Sequence, residues 1–330
     1  MTPAVTLTAD VRRDALWLAW GGSGDGRPAE LMGTVTHMLR VSGLTRRFGD
    51  HLALDDVTFD VVPGRMTGFV GANGAGKTTT MRIILGVLAA TAGEVRWQGG
   101  PLTQEVRRDF GYMPEERGLY PKMKIRDQLV FFGRLHGLDP ERALERTDKL
   151  LERLGLAERA TDVLETLSLG NQQRVQIAAA LVHQPIALVL DEPFSGLDPL
   201  AVDAMVDLLR EEVTPEVPVL FSSHQLDLVE RLCDDLVVLS RGKVVAAGSV
   251  AELSAGAAST YRLVIDGDAG WLRDLRGIQV RDVAGGTALF DVLDAAMEQK
   301  ILQEAISRGP VLEFGPERVA LSDVFREATR

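Results

Sequence analysis

Eight consecutive residues, Gly71-Ala72-Asn73-Gly74-Ala75-Gly76-Lys77-Thr78, fit the spacing G-x-x-x-x-G-K-[ST]. Such a stretch does phosphate chemistry. Glycines let the backbone wrap round the anion, and successive N–H groups point inward at a helix N-terminus. Lys77 is placed to reach β- and γ-phosphates, and the Thr78 hydroxyl to ligate Mg²⁺. A second stretch complements it. Leu188-Val189-Leu190-Asp191 is an apolar run ending in an acid, the arrangement that holds Mg²⁺ from the far side of the phosphates. Glu192 follows directly, and a carboxylate there can orient or deprotonate a water within hydrogen-bond reach. Alone, an Asp-Glu pair at a strand end reads as a turn or a helix cap. Paired with the phosphate loop it reads as a catalytic pair.

These residues need a strand on one side and a helix on the other. Met66–Val70 is a short apolar run directly before the loop, and Thr79–Leu88 is helical in pattern directly after it. Further apolar runs at Ala187–Leu190, Val219–Phe221 and Leu236–Leu239 have the length of strands buried on both faces of a partly parallel sheet. Ile125–His136 and Glu141–Leu154 read as helices. The second has Leu144, Leu150, Leu151 and Leu154 as its apolar positions, and Asp139-Pro140 marks its start. The texture is α/β. Cys233, Trp97 and the apolar residues of Ile125–His136 are assigned to packing, and His136 and His183 show no metal-ligand spacing.

Residues 1–37 carry no sustained period and include Gly21-Gly22-Ser23-Gly24-Asp25-Gly26, so a disordered leader is expected there. The first clean strand pattern is Leu39-Arg40-Val41, which puts the start of the main α/β domain at Met38 and its span at 38–252. Leu253 to Ser259 reads as a small-residue linker. Beyond it, 260–330 alternates at Tyr261, Leu263, Ile265 and at Ala288, Phe290, Val292, as half-buried strands do. A helix over Ala295 to Ser307, a strand at Val311–Phe314 and a closing helix at Ser322–Ala328 complete a small α+β domain of split βαβ type.

Composition sets limits. The 330 residues carry a net charge of −11, with 45% hydrophobic and 25% charged residues, which fits a globular chain and not wholesale disorder. An acidic balance argues against nucleic acid as a partner. The longest uncharged run, Val175 to Leu190, is interrupted by Gln176, His183, Gln184 and Pro185. It falls short of the about 20 apolar residues that span a bilayer. A single cysteine allows no internal disulfide, which suits a reducing compartment.

With these residues placed, the chain resembles the ATP-binding subunit of an ABC transporter over about residues 39–250. Leu167-Ser168-Leu169-Gly170-Asn171-Gln172-Gln173-Arg174 is similar to the family's signature motif, Ser195-Gly196-Leu197-Asp198 to its D-loop, and His224 to its switch histidine. Phe48 stands where the family puts an aromatic against adenine, and Tyr112-Met113-Pro114-Glu115 stands at the Q-loop. There are two departures. Leu169 and Asn171 replace Gly and Gln of the usual signature, and Glu115 replaces the Q-loop glutamine, an acceptor in place of a donor-acceptor. The run Pro114-Glu115-Glu116-Arg117-Gly118-Leu119-Tyr120 resembles exporter ATPases of the drug- and sodium-efflux type, as does the small C-terminal domain.

The resemblance implies a P-loop ABC ATPase domain, with a mixed sheet, flanking helices and a helical subdomain, plus the small α+β domain. It implies ATP and Mg²⁺ as cofactors. Phe48, Gly71, Asn73, Gly74, Ala75, Gly76, Lys77, Thr78 and Thr79 would hold the nucleotide, while Ser168, Gly170 and Asp198 serve the nucleotide of a second subunit. Thr78, Asp191 and Glu115 would serve the metal, and Glu192 with His224 the catalysis. Two partners follow: a second ATPase subunit, identical or related, and an integral membrane permease at the cytoplasmic face of the membrane, facing about Glu116 to Ile125. The alternative is a soluble ABC ATPase acting on ribosomes or DNA, whose usual paired halves, coiled-coil insertion or zinc hook this sequence lacks. An ATP-gated ligand sensor is a third reading.

Overall fold

The computed structural model describes residues 39–116, 118–212, 215–254, 260–293 and 296–317. A hairpin comes first, β1 (Leu39–Phe48) and β2 (His51–Val61), with Gly49 at φ +57° in its two-residue turn. Next are β3 (Met66–Val70), α1 (Lys77–Ile84), β4 (Ala92–Trp97), β5 (Gly100–Pro101), α2 (Gln104–Arg107) and β6 (Phe110–Met113). Three helices follow, α3 (Ile125–Leu135), α4 (Pro140–Arg153) and α5 (Leu169–Leu181). Then come β7 (Ala187–Leu190), α6 (Pro199–Glu212), β8 (Val219–Ser223), α7 (Leu226–Leu232), β9 (Asp235–Ser240), β10 (Lys243–Ser249) and α8 (Val250–Ser254). The last described elements are β11 (Thr260–Ile265), β12 (Ile278–Ala284), β13 (Thr287–Val292), α9 (Ala296–Arg308) and β14 (Val311–Pro316).

The site hangs on the central sheet, in the order β10-β9-β3-β8-β7-β6. All its pairs are parallel except β10 with β9. Side chains alternate strictly between two cores. Met66 and Val70 of β3, Leu188 and Leu190 of β7, Val219 and Phe221 of β8, and Leu236 and Val238 of β9 pack with α3 to α7. Phe69, Val189, Leu220, Val237 and Leu239 point the other way, against α1 and the antiparallel sheet β2-β1-β4-β5. This is why the strands read as unbroken apolar runs: both faces are covered. Each fully buried Phe or Leu in such a core contributes roughly 1.5–3 kcal/mol. The parallel register aligns the C-terminal ends of β3, β7 and β8, and the phosphate loop, Asp191 and His224 all follow those ends.

Residues 260–317 hold a third, separate core around Leu263, Phe290, Ile301 and Ala305. The antiparallel order β12-β13-β11-β14 places β13 and β14 parallel to each other on either side of β11, joined through α9. That is the expected split βαβ connection. The leader 1–37 and the closing helix Ser322–Ala328 lie outside the described residues.

Several expectations shift. The helix after the phosphate loop ends at Ile84, not Leu88, because the chain turns at Gly86 with φ +73°. α4 is capped by Asp139, which accepts from Arg142 N at 3.0 Å, but Leu144 is exposed. The buried stripe runs through Ala143, Thr147, Leu150 and Leu151, and Leu144 lies one residue round from Ala143 at its rim. On α3, Ile125 and Leu129 are buried as expected of packing residues. Phe131 and Leu135 are not: they are 43% and 68% exposed. Gln128 takes the interior instead, bonding Met123 O and Tyr120 N, each at 3.3 Å. Leu253 and Ser254, expected in the linker, close α8.

Candidate functional site

The phosphate loop leaves β3 at Gly71 and enters α1 at Lys77. Its backbone is built for glycine at Gly74 and Gly76, with φ +80° and +111°. At Gly76 space forbids a side chain as well: a Cβ would lie 2.6 Å from Leu54 Cδ2 and 3.0 Å from Ala53 O. Behind the loop, Gly71 packs against the Leu239 carbonyl, where a Cβ would sit 2.4 Å away. The β9–β10 turn braces the loop from outside, Gly242 N donating to Ala75 O at 2.9 Å. Gly76 caps α1 without a side-chain bond, so the first N–H groups of the helix face the cleft unclaimed by a side-chain cap. The Lys77 ammonium, almost wholly buried, donates to Gly71 O at 2.6 Å and lies across the loop.

One cleft of about 480 Å³ gathers these parts, lined in sequence order by Phe48, His51, Ala53, Ala72–Thr79 without Ala75, Glu115, Asp191 and Glu192. Of the expected nucleotide residues, Phe48, Asn73, Gly74, Gly76, Lys77, Thr78 and Thr79 line it together with the acids. Gly71 and Ala75 stand behind as its support. Asp191 is 1% exposed, and its Oδ1 accepts from Ser222 Oγ at 2.5 Å. Ser222 Oγ in turn accepts from Glu192 N at 2.8 Å. Asp191 Oδ2 has no hydrogen-bond partner among the described residues. Burial first, then the Asp191 carboxylate, push the nearby Tyr112 hydroxyl above its ordinary range, with Arg82 opposing.

Glu192 holds φ +51°, a left-handed conformation that costs a non-glycine residue energy. The turn aims its carboxylate at His224, whose Nδ1 lies 2.9 Å from Glu192 Oε2. Gln173 on α5 fixes the same turn, its amide donating to Pro193 O at 2.8 Å and Glu192 O at 3.3 Å.

The remaining expected residues stand elsewhere. Ser168 caps α5, accepting from Asn171 N at 3.4 Å, and Asp198 caps α6, accepting from Ala201 N at 2.9 Å. Neither they nor Gly170 line the cleft. Leu169, the departure from the usual signature, turns toward the D-loop: its Cδ2 lies 3.3 Å from where a Gly196 Cβ would be. It stays 55% exposed, beside the exposed Ser168 and the half-buried Gly170.

Sequence reasoning missed His51, Ala53, Ser222 and Gln173. Ser222 carried a signal, a hydroxyl inside the apolar strand β8 two residues before His224. His51 and Ala53 carried none, because their place depends on the hairpin turn and on a bulge between Arg46 and Arg47 that leaves Ala53 unpaired.

Comparison with known proteins bears on this geometry. The family described as ABC transporter matches residues 54–195, and the family described as ATP-binding protein DrrA1-3-like, C-terminal domain, matches residues 248–329. The chain is 39% identical over 292 residues to the uncharacterized ABC transporter ATP-binding protein YhaQ of Bacillus subtilis, covering 88% of this chain and 98% of that protein. The chain belongs to the ABC transporter ATP-binding proteins. Members of this ATPase family hydrolyse ATP. The ABC ATPase is also 32% identical over 235 residues to the linearmycin resistance ATP-binding protein LnrL of Bacillus subtilis, 70% of this chain and 76% of that one. A solved structure of an ATP binding subunit of an ABC transporter matches it with a TM-score of 0.61 and 33% identity, over 66% of this chain and 91% of that one. Among the described residues, no helix of this ABC ATPase is long and apolar enough to cross a membrane.

Proposed function

We propose that this ABC ATPase is the energising subunit of a membrane exporter, working as a dimer that closes around ATP at the cytoplasmic face of the membrane. One observation carries the reading. The cleft holds the phosphate loop and the acids, but Ser168, Gly170 and Asp198 lie outside it, the first and last exposed and Gly170 half-buried. They suit a nucleotide held by a second copy, so each chain supplies half of two sites.

Within the cleft, Lys77 and the α1 N-terminus offset the charge of the phosphates. The donor set fits Mg²⁺: Asp191 Oδ2 is buried with no hydrogen-bond partner among the described residues, and Thr78 and Glu115 line the same space. When bound there, the metal supplies Lewis-acid stabilisation of charge on the phosphate oxygens. Glu192 then orients and deprotonates the attacking water. His224 holds that carboxylate in place, and Ser222 fixes Asp191 and the Glu192 backbone together. Because ATP favours the closed pair and its hydrolysis removes the bridge, the cycle drives a partner between conformations.

The exporter reading is supported by the DrrA-like C-terminal match and the linearmycin-resistance relative. A permease is supported by the surface beside Glu116 to Ile125. Tyr120, 52% exposed, stacks on Phe132 with centroids 6.2 Å apart and meets the exposed Phe131 at 6.3 Å. An aromatic ledge on a helical lobe suits burial against another protein. The test is affinity recovery of the chain from detergent-solubilised membranes. Recovery of an integral membrane protein with about six spans of roughly 20 apolar residues supports the proposal. Recovery of ribosomes or DNA and no integral membrane protein overturns it.

A further inference from the structure

We infer that Arg46 is a positioning residue for a nucleobase subsite at Phe48 in the cleft, a role resting on the reading that ATP occupies it. The cleft lining includes Phe48, a ring 45% exposed at the tip of β1 and carrying no polar group of its own. Left alone, such a side chain would sample its rotamers in water and pay their entropy on stacking with a base. Arg46 prevents this. Two residues back on β1, its guanidinium carbon lies 4.5 Å from the Phe48 ring centroid.

The guanidinium is itself anchored. Nη1 donates to Ala89 O at 3.0 Å, tying it to the segment that follows α1. Nε is buried with no hydrogen-bond partner among the described residues, so no polar neighbour there competes with the ring for the group. The β-bulge between Arg46 and Arg47 re-aims the strand end just where the two side chains must meet. One face of Phe48 is thus covered by a fixed cation. Across the turn, His51 pairs with Phe48 and lines the same cleft. The free ring face is a platform for a flat, polarisable purine, giving a stack of guanidinium, phenyl and base. Arg46 is not among the residues that line the cleft, so its effect on a nucleotide runs through the Phe48 ring.

The test compares a nucleotide with its base-free counterpart. MgADP and Mg-pyrophosphate are titrated calorimetrically into the wild-type full-length chain and the variants Arg46→Gln, Arg46→Lys and Phe48→Ala. Arg46→Gln keeps a donor for Ala89 O but loses the cation. It weakens MgADP about two- to fivefold, as loss of an exposed cation–π contact implies, and leaves Mg-pyrophosphate unchanged. Arg46→Lys recovers most of the MgADP affinity. In the Phe48→Ala background, Arg46→Gln adds no further loss, because its effect runs through the ring. Unchanged or tighter MgADP in Arg46→Gln overturns the inference, the tighter case showing that Arg46 occludes the face the base needs. Equal loss of both ligands overturns it too, since that is the mark of a disturbed phosphate loop. A wild-type chain that binds neither ligand sinks the nucleotide reading itself, and the subsite with it.

Discussion

His224 Nδ1 and Glu192 Oε2 stand 2.9 Å apart, so the end of β8 and the end of β7 meet in one hydrogen bond beside the phosphate loop. The bond ties an exposed imidazole to a carboxylate that is 9% exposed and held in a left-handed backbone. A carboxylate so fixed does not have to be reorganised when water arrives.

Glu192→Gln is expected to bind MgATP as the wild type does and to lose hydrolysis by about 10²–10⁴, the range for a general base. His224→Ala should lower kcat with little change in KM. The double variant should be hardly worse than Glu192→Gln, since the histidine acts through the carboxylate. Steady-state kinetics with a nucleotide-binding titration checks all three. Near-normal turnover in Glu192→Gln would reassign the base.

Two glycines of the phosphate loop separate backbone strain from crowding. Gly74 has φ +80° and nothing within 4 Å of its Cβ position, whereas Gly76 at φ +111° would meet Leu54 and Ala53. Gly74→Ala should cost only the conformational term, about 1 kcal/mol. Gly76→Ala should cost more than that, and it should also weaken MgADP by shifting the start of α1. Denaturant melts of both variants, read with MgADP titrations, make the comparison. Equal losses would show that the Ala53–Leu54 contact gives way freely.

How far the sequence discloses all this depends on range. The common place of Lys77, Thr78, Asp191 and Glu192 is legible because it is set by neighbours in the chain, each pair following the end of an apolar strand. The central strands are legible because burial on both faces leaves an unbroken apolar run. Phe131 is not legible as a surface residue: helical period marks an apolar face but does not say whether the cover belongs to the same chain. Arg46 and His51 are silent for a related reason. A charged residue and a histidine near a hairpin are commonplace, and only the turn at Gly49 and the bulge at Ala53 bring them to Phe48 and the cleft. Leu169 is a departure from the usual signature, and its approach to Gly196 while half exposed is a tertiary fact.

His183 predicts a dependence on acid. Its ring stacks on His136 with centroids 3.8 Å apart, where α5 ends near the cap of α3. Burial, and then the charge of His136, push His183 down to about 4 from an ordinary 6.5. The unfolded chain therefore binds the proton more readily than the folded one. Stability should be flat above pH 6.5, fall as pH drops from 6.5 toward 4, and level off below. The loss for this group amounts to about 3 kcal/mol at most. His183→Gln should flatten that slope in melting temperature measured across pH 4 to 7. An unchanged slope would place the acid sensitivity elsewhere.

Ser168 and Lys77 serve one site only if they come from two chains, and this can be shown by complementation. Ser168 caps α5 at the surface, and Lys77 is buried in the cleft of the same chain. Ser168→Arg should cost about 1 kcal/mol of helix capping and should leave MgADP binding by the monomer intact. It should abolish ATP-driven dimerisation of the Glu192→Gln chain, because a bulky cation replaces the small hydroxyl where the facing nucleotide must dock. Lys77→Ala should lose nucleotide affinity while its own signature surface is untouched. Each single variant on its own should be nearly inactive. Mixed in equal amounts, they form some pairs with one intact site, made from Lys77 of the Ser168→Arg chain and Ser168 of the Lys77→Ala chain. ATPase activity should therefore reappear on mixing, at a fraction of the wild-type rate and rising with protein concentration. If each chain built its own complete site, no mixture of the two could recover activity.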